Sequence, residues 1–165
     1  MKVLILAGGF GTRLSEYTDN IPKPMVPIGE RPMIEHIMET FSKFDHKDFF
    51  IALGYRGKIM IDHFKNTNTQ KKNKWNINLV DTGSNTMTGG RVKRMKNYIG
   101  NETFLLTYGD GLANININNL IEFHKNKKKL LTISAVRPPA RFGALQIDDD
   151  NNVLSFREKN QLDES

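Results

Sequence analysis

At 165 residues, with 38% hydrophobic and 25% charged residues and no cysteine, the sequence has the composition of an ordinary globular protein and is long enough to bury a core without disulfides. No stretch approaches the ~20 apolar residues a membrane span needs, and the start has neither a long apolar region nor a small-residue cleavage site, so the expected location is the cytoplasm. The formal net charge of +6 is concentrated in Lys71, Lys72 and Lys74 and in Lys125, Lys127, Lys128 and Lys129; without interleaved aromatic residues to stack bases, these runs read as solvated surface that steers small anions, not as a nucleic-acid site.

Residues 2–6 (KVLIL) form a short apolar run closed by glycines, the pattern of a strand buried on both faces. A polar stretch follows, then prolines at 22, 24 and 27, two of which flank Lys23. From Pro32 the apolar positions Met33, Ile34, Ile37, Met38 and Phe41 keep helical spacing, with the proline acceptable at the first turn. Residues 49–53 (FFIAL) predict a second buried strand, and Gly54 turns the chain into a helix over about 58–64. The polar residues 65–76 read as an exposed loop. A third strand is predicted at 77–80. Val92, Met95 and Ile99 then share one helical face over 91–99, and residues 103–107 (TFLLT) predict a fourth strand running into Tyr108-Gly-Asp-Gly111. A helix over 117–127, a fifth strand over 130–136 and a hairpin over 144–157 complete the pattern. Strands alternating with helices imply an α/β protein with a mostly parallel central sheet covered on both faces. With no repeat and no linker, residues 1–165 read as one domain.

Ligands of such sheets bind outside the carboxyl ends of the strands. The loop LAGGFGTR (residues 6–13) follows the first strand and Asp110 follows the fourth, so the two share a crevice if those strands are neighbours. Glycines let bare amides approach an anion, and successive N–H groups make a concave nest for phosphate oxygens. Two familiar phosphate loops are excluded: Leu14 stands where a dinucleotide fingerprint has its third glycine, and the lysine and Ser/Thr of a Walker-type loop are missing. Arg13 adds a guanidinium, the best bidentate partner for phosphate.

LAGGFGTRL (6–14), PKPM (22–25) and a strand ending in GD (109–110) together resemble the sugar-1-phosphate nucleotidyltransferase family. LVDTG (79–83), MTGGR (87–91), TYGDG (107–111), RFGAL (141–145) and EK (158–159) stand in the order found in its members that join CTP to glucose 1-phosphate. The resemblance covers nearly the whole chain. It implies a Rossmann-like three-layer sandwich, CTP and glucose 1-phosphate as substrates, CDP-glucose and pyrophosphate as products, and Mg²⁺ as cofactor.

Residue by residue, the resemblance assigns Leu6, Ala7 and the amides of Gly8, Gly9, Gly11 and Thr12 to the nucleotide, with Thr86 and Arg91 as further contacts. Arg13 would stabilise the pyrophosphate leaving group, Lys23 would bridge the two phosphates, and Asp110 would hold the metal. Gly143, Glu158 and Lys159 would face the sugar phosphate. Each also has a plainer reading: Lys23 as a solvated loop lysine, Asp110 as a turn residue, Arg91 on the exposed face of its helix. His36, His46, His63 and His124 lack metal-ligand spacing, and Met25, Met33, Met38 and Met60 read as core filling. The family's EKP reads Glu158-Lys159-Asn160 here, the loop at 65–76 is shorter, and family members continue further, to a second metal-binding aspartate. The expectation is therefore a nucleotidyltransferase domain lacking the family's C-terminal portion. Its alternatives are a non-catalytic nucleotide-binding core and an enzyme using UTP or dTTP. Neither a nucleic acid nor a membrane is an expected partner, and a homo-oligomer stays open.

Overall fold

A computed structural model describes residues 1–10, 20–136 and 144–157. In chain order the elements are β1 (Lys2–Ala7), a 3₁₀ turn (Lys23–Met25), β2 (Pro27–Ile28), β3 (Arg31–Pro32), α1 (Met33–Ser42), β4 (Asp48–Leu53), α2 (Gly57–Asn66), α3 (Thr69–Asn73), β5 (Asn76–Asp81), α4 (Thr88–Arg94), α5 (Lys96–Ile99), β6 (Leu105–Tyr108), α6 (Ile117–Lys127), β7 (Ala144–Ile147) and β8 (Val153–Arg157). They fall into two compact units, Met1–Asn118 and Asn119–Ser165. No helix among the described residues is long and apolar enough to cross a membrane.

The first unit is built on a parallel sheet of order β5-β4-β1-β6. β1 and β4 lie inside it, and their apolar residues are buried on both faces, which is why they read as continuous hydrophobic runs instead of alternating ones. The order also dictates where the helices go. From β1 to β4 to β5 the chain steps in one direction, and right-handed crossovers put α1 and α2 on one face. The return from β5 to β6, past β1, reverses direction and puts α4 and α5 on the other. Packing agrees: Leu4, Leu6, Phe50 and Ala52 on one side of the pleat cluster with Met95 and Ile99. Val3, Ile5, Phe49 and Ile51 point the opposite way and are buried, beneath the face to which α1 brings Ile34, Ile37 and Met38 and α2 brings Met60 and Phe64. The sheet is thus central, parallel and flanked by helices.

Several expectations shift. Residues 65–76 are not all loop, since α3 forms a short helix there with no buried residue. The helix expected over 91–99 is two pieces, α4 and α5, meeting at buried Met95. The fourth strand begins two residues later, at Leu105. The fifth strand, expected over 130–136, does not form: these residues carry no strand pairing, and Leu131 and Ile133 are 72% and 75% exposed. An apolar run becomes a strand only where a neighbour completes its hydrogen bonds, and none of the described residues does so here.

In the second unit the expected hairpin is present. β7 and β8 pair antiparallel from Ala144↔Arg157 to Ile147↔Val153. Asp148 closes the turn, its Oδ1 accepting the N–H groups of Asp150 and Asn152 at 3.0 and 2.8 Å, an aspartate doing the work of backbone in a tight turn.

Candidate functional site

β1 and β6 are adjacent, with Leu6 opposite Tyr108, so the chain emerges as Gly8-Gly9 and as Gly109-Asp110 from neighbouring strand ends. This is also where the strand order reverses, the place at which open α/β sheets leave a crevice for ligands. The Gly109 amide donates to the Leu6 carbonyl at 2.9 Å and ties the two ends together. A Cβ at Gly109 would stand 2.8 Å from Cγ of Pro24, so the glycine of the GD pair is what lets the Pro22-Lys23-Pro24 turn seat against β6. Seated there, Lys23 extends Nζ to within 2.6 Å of Oδ2 of Asp110, with the two side chains 23% and 35% exposed. Lys23 is therefore not a solvated loop lysine, and Asp110 is not merely a turn residue.

Arg91 is placed differently from the plainer of its sequence readings. It is 5% exposed, so it does not lie on an open helix face. Its Nη1 donates to the Leu53 carbonyl, Thr82 Oγ1 and the Gly83 carbonyl at 3.0, 2.8 and 2.8 Å. Its Nη2 donates to the carbonyls of Gly8 and Ser84 at 2.7 and 3.1 Å. The guanidinium thus joins the ends of β1, β4 and β5. Burial draws its pKa down, and Asp81 works in the opposite direction. A Cβ at Gly8 would overlap this guanidinium, and one at Gly54 would lie 2.5 Å from Nη1. Around Gly9, by contrast, a Cβ would meet no atom of the described residues within 4 Å. Of the two adjacent glycines, Gly8 makes room for a side chain behind the loop, whereas a side chain at Gly9 would meet none of the described residues.

Leu6 and Ala7 are buried at the end of β1. Thr86 lies in the connection after β5, its hydroxyl accepting from Nη1 of Arg94 at 2.7 Å, and the same nitrogen reaches the Thr82 carbonyl at 2.6 Å. Gly11, Thr12, Arg13, Gly143, Glu158 and Lys159 lie outside the described residues. Sequence reasoning missed Gly54, Thr82 and Arg94. It also missed Tyr55, whose amide donates to the Gly8 carbonyl at 3.2 Å and whose ring lies tilted against that of Phe10, centroids 5.3 Å apart. Gly54, directly after a buried strand, was the one readable signal.

The family model described as Nucleotidyl transferase matches residues 2–165. The chain belongs to that family. Glucose-1-phosphate cytidylyltransferase of Salmonella typhi is 45% identical over 178 residues, covering 96% of this chain and 69% of that relative. The probable glucose-1-phosphate cytidylyltransferase of Bacillus subtilis is 38% identical, covering 99% and 70%. Among solved structures, HddC from Yersinia pseudotuberculosis, complexed with GMP-PN, matches with a TM-score of 0.66 at 29% identity, covering 97% of this chain and 70% of that one. These relatives set this nucleotidyltransferase among those acting on sugar 1-phosphates. Chemically, these two strand ends offer the nucleotidyltransferase an ammonium and a carboxylate close to the exposed Gly9.

Proposed function

We propose that the chain transfers a cytidylyl group from CTP to glucose 1-phosphate, releasing pyrophosphate and giving CDP-glucose, with Mg²⁺ as cofactor. The observation that carries this reading is the Lys23–Asp110 pair, 2.6 Å apart at the switch point of the sheet, where β6 lies next to the strand that leads into Gly8-Gly9. The similarity to two glucose-1-phosphate cytidylyltransferases supports the choice of base and sugar.

In the reaction an oxygen of the sugar phosphate attacks the α-phosphorus. A new P–O bond forms as the bond to the bridging oxygen of the β-phosphate breaks, and the electron pair leaves with pyrophosphate. Both reactants are anions, so the protein must align them and neutralise their charge. Lys23 serves as a compact point charge between the two phosphates. The Gly9 amide, with those of Gly8, Gly11 and Thr12, receives the triphosphate, and Arg13 receives the charge developing on pyrophosphate. Thr86 is assigned to the nucleotide, and Gly143, Glu158 and Lys159 to the sugar phosphate.

Asp110 fits Mg²⁺: it presents a hard carboxylate oxygen, partly open to water, that already has a cation 2.6 Å away. No group of three His, Cys, Asp or Glu gathers for a metal among the described residues, so phosphate oxygens and water would complete the coordination, as suits this ion. When bound, it would polarise and neutralise the phosphate oxygens.

The test is pyrophosphate release by the 165-residue chain with Mg²⁺, glucose 1-phosphate and CTP, UTP or dTTP in turn. Release with CTP well above the other two supports the reading. Equal or faster release with UTP or dTTP overturns the base assignment. CTP binding without release by the folded chain overturns turnover and leaves a nucleotide-binding core.

A further inference from the structure

The glycine loop poses a stereochemical problem. A glycine pair without side chains has no preferred peptide orientation, yet an anion nest works only if the N–H groups face the anion. Something must hold the peptide between Gly8 and Gly9. Every described peptide is trans, so the Gly8 carbonyl and the Gly9 N–H point in opposite directions across one plane. The Gly8 carbonyl is gripped from behind by Nη2 of Arg91 at 2.7 Å and by the Tyr55 amide at 3.2 Å. The Gly9 N–H therefore points away from Arg91, and Gly9 itself is exposed.

We propose that Arg91 is a positioning residue: it acts through Gly8, fixing the Gly8–Gly9 peptide so that the Gly9 N–H is presented to the triphosphate, and it does not itself touch the nucleotide. Four of its five N–H groups are needed for the carbonyls and hydroxyl it already holds. Its charge is fixed and lies behind the loop, where it adds to the field an anion meets in front. Lysine could not replace it, because a single ammonium cannot span acceptors from three strand ends.

The inference rests on the reading of the loop as a triphosphate site, and the experiment separates the two. Dissociation constants for CTP, CMP and inorganic tripolyphosphate are measured for the wild-type chain, for Arg91→Lys and for Gly8→Ala, which keeps the arginine but fills its place with a methyl group. If no nucleotide or tripolyphosphate binds the wild-type chain, the triphosphate reading falls and the proposal with it. If they bind, both variants are expected to lose about tenfold or more for CTP and tripolyphosphate while CMP changes less than about threefold. Equal losses for CTP and CMP, or none, overturn the positioning role and leave the reading of the loop standing. Should either variant fail to fold, ¹⁵N NMR of the wild-type chain decides. The Gly9 amide should move on addition of tripolyphosphate, whereas Arg91 Nε should give the same signal with CTP as with UTP. An Arg91 signal that follows the base means direct contact and overturns the proposal.

Discussion

An ammonium and a carboxylate 2.6 Å apart, both partly open to water, gain little for the fold, since solvent screens the attraction and two side chains must be held still. Such pairs are worth about 0–1 kcal/mol. Lys23 and Asp110 are therefore better understood as two charges kept ready than as a brace. Lys23→Met and Asp110→Asn are each expected to shift the melting temperature by less than about 4 °C while lowering pyrophosphate release by about a hundredfold or more. Thermal unfolding and initial rates on the same samples check this; large melting shifts with unchanged rates would make the pair a structural brace. At this scale the two charges were legible through the resemblance carried by PKPM and GD, since locally they read as a solvated loop lysine and a turn aspartate. Gly8 was legible only in part. Its missing side chain was read as room for phosphate, yet the space belongs to Arg91, 83 positions away, and no local pattern announces which distant group will fill the back of a loop.

Elements meet through a few polar contacts laid over apolar packing, and α1 and α2 show one of them. Glu35 of α1 is buried, with its side chain 3% exposed, and its Oε1 lies 2.7 Å from Nε2 of His63 on α2. A buried carboxylate that loses its partner costs far more than the bond contributed. His63→Ala is expected to cost about 2 kcal/mol, towards the lower end because His63 is 22% exposed and water can enter from its side. The double variant Glu35→Leu/His63→Leu should lose less than that single change, because no buried polar group is left without its partner. Urea midpoints for the two would show it, and a double variant weaker than His63→Ala would mean that the pair itself stabilises the contact. Elements of this kind were readable where packing and period agree, as in β1, β4 and α1. They were misread where partners decide: residues 130–136 have strand composition but no ladder partner among the described residues. The break at Met95 was hidden because Val92, Met95 and Ile99 keep one face through both pieces.

For the whole molecule, the order β5-β4-β1-β6 follows from right-handed crossovers and one reversal, and that reversal is what brings Gly9 and Asp110 to neighbouring strand ends, against which the Pro22–Pro24 turn seats Lys23. Sequence alone supplied the alternation of strands and helices but not which strands are neighbours. Stability against acid is a property of the same scale, because it sums over every group whose pKa folding moves. His46 is pulled below 6.5, first by burial and then by the charge of the amino terminus, and its Nε2 is buried without a partner among the described residues. The folded chain thus binds fewer protons than the unfolded chain just below pH 6.5, so stability falls as the solution becomes more acidic there. Glu39 is held below 4.5 by the hydrogen bond from Arg31, Asp45 below 3.8 by that from Lys47, and Asp148 below 3.8 by the Asn152 amide. The stability these carboxylates add is present above their unfolded values and is lost as pH falls through the folded ones. The sign is therefore the same for all four groups, in two separate ranges. Urea midpoints should stay level from about pH 8 to 7, decline below about 6.5, and decline again below about 4.5. His46→Leu should remove the upper decline and leave the lower one, whereas a profile unchanged by that substitution would place the upper decline on another group.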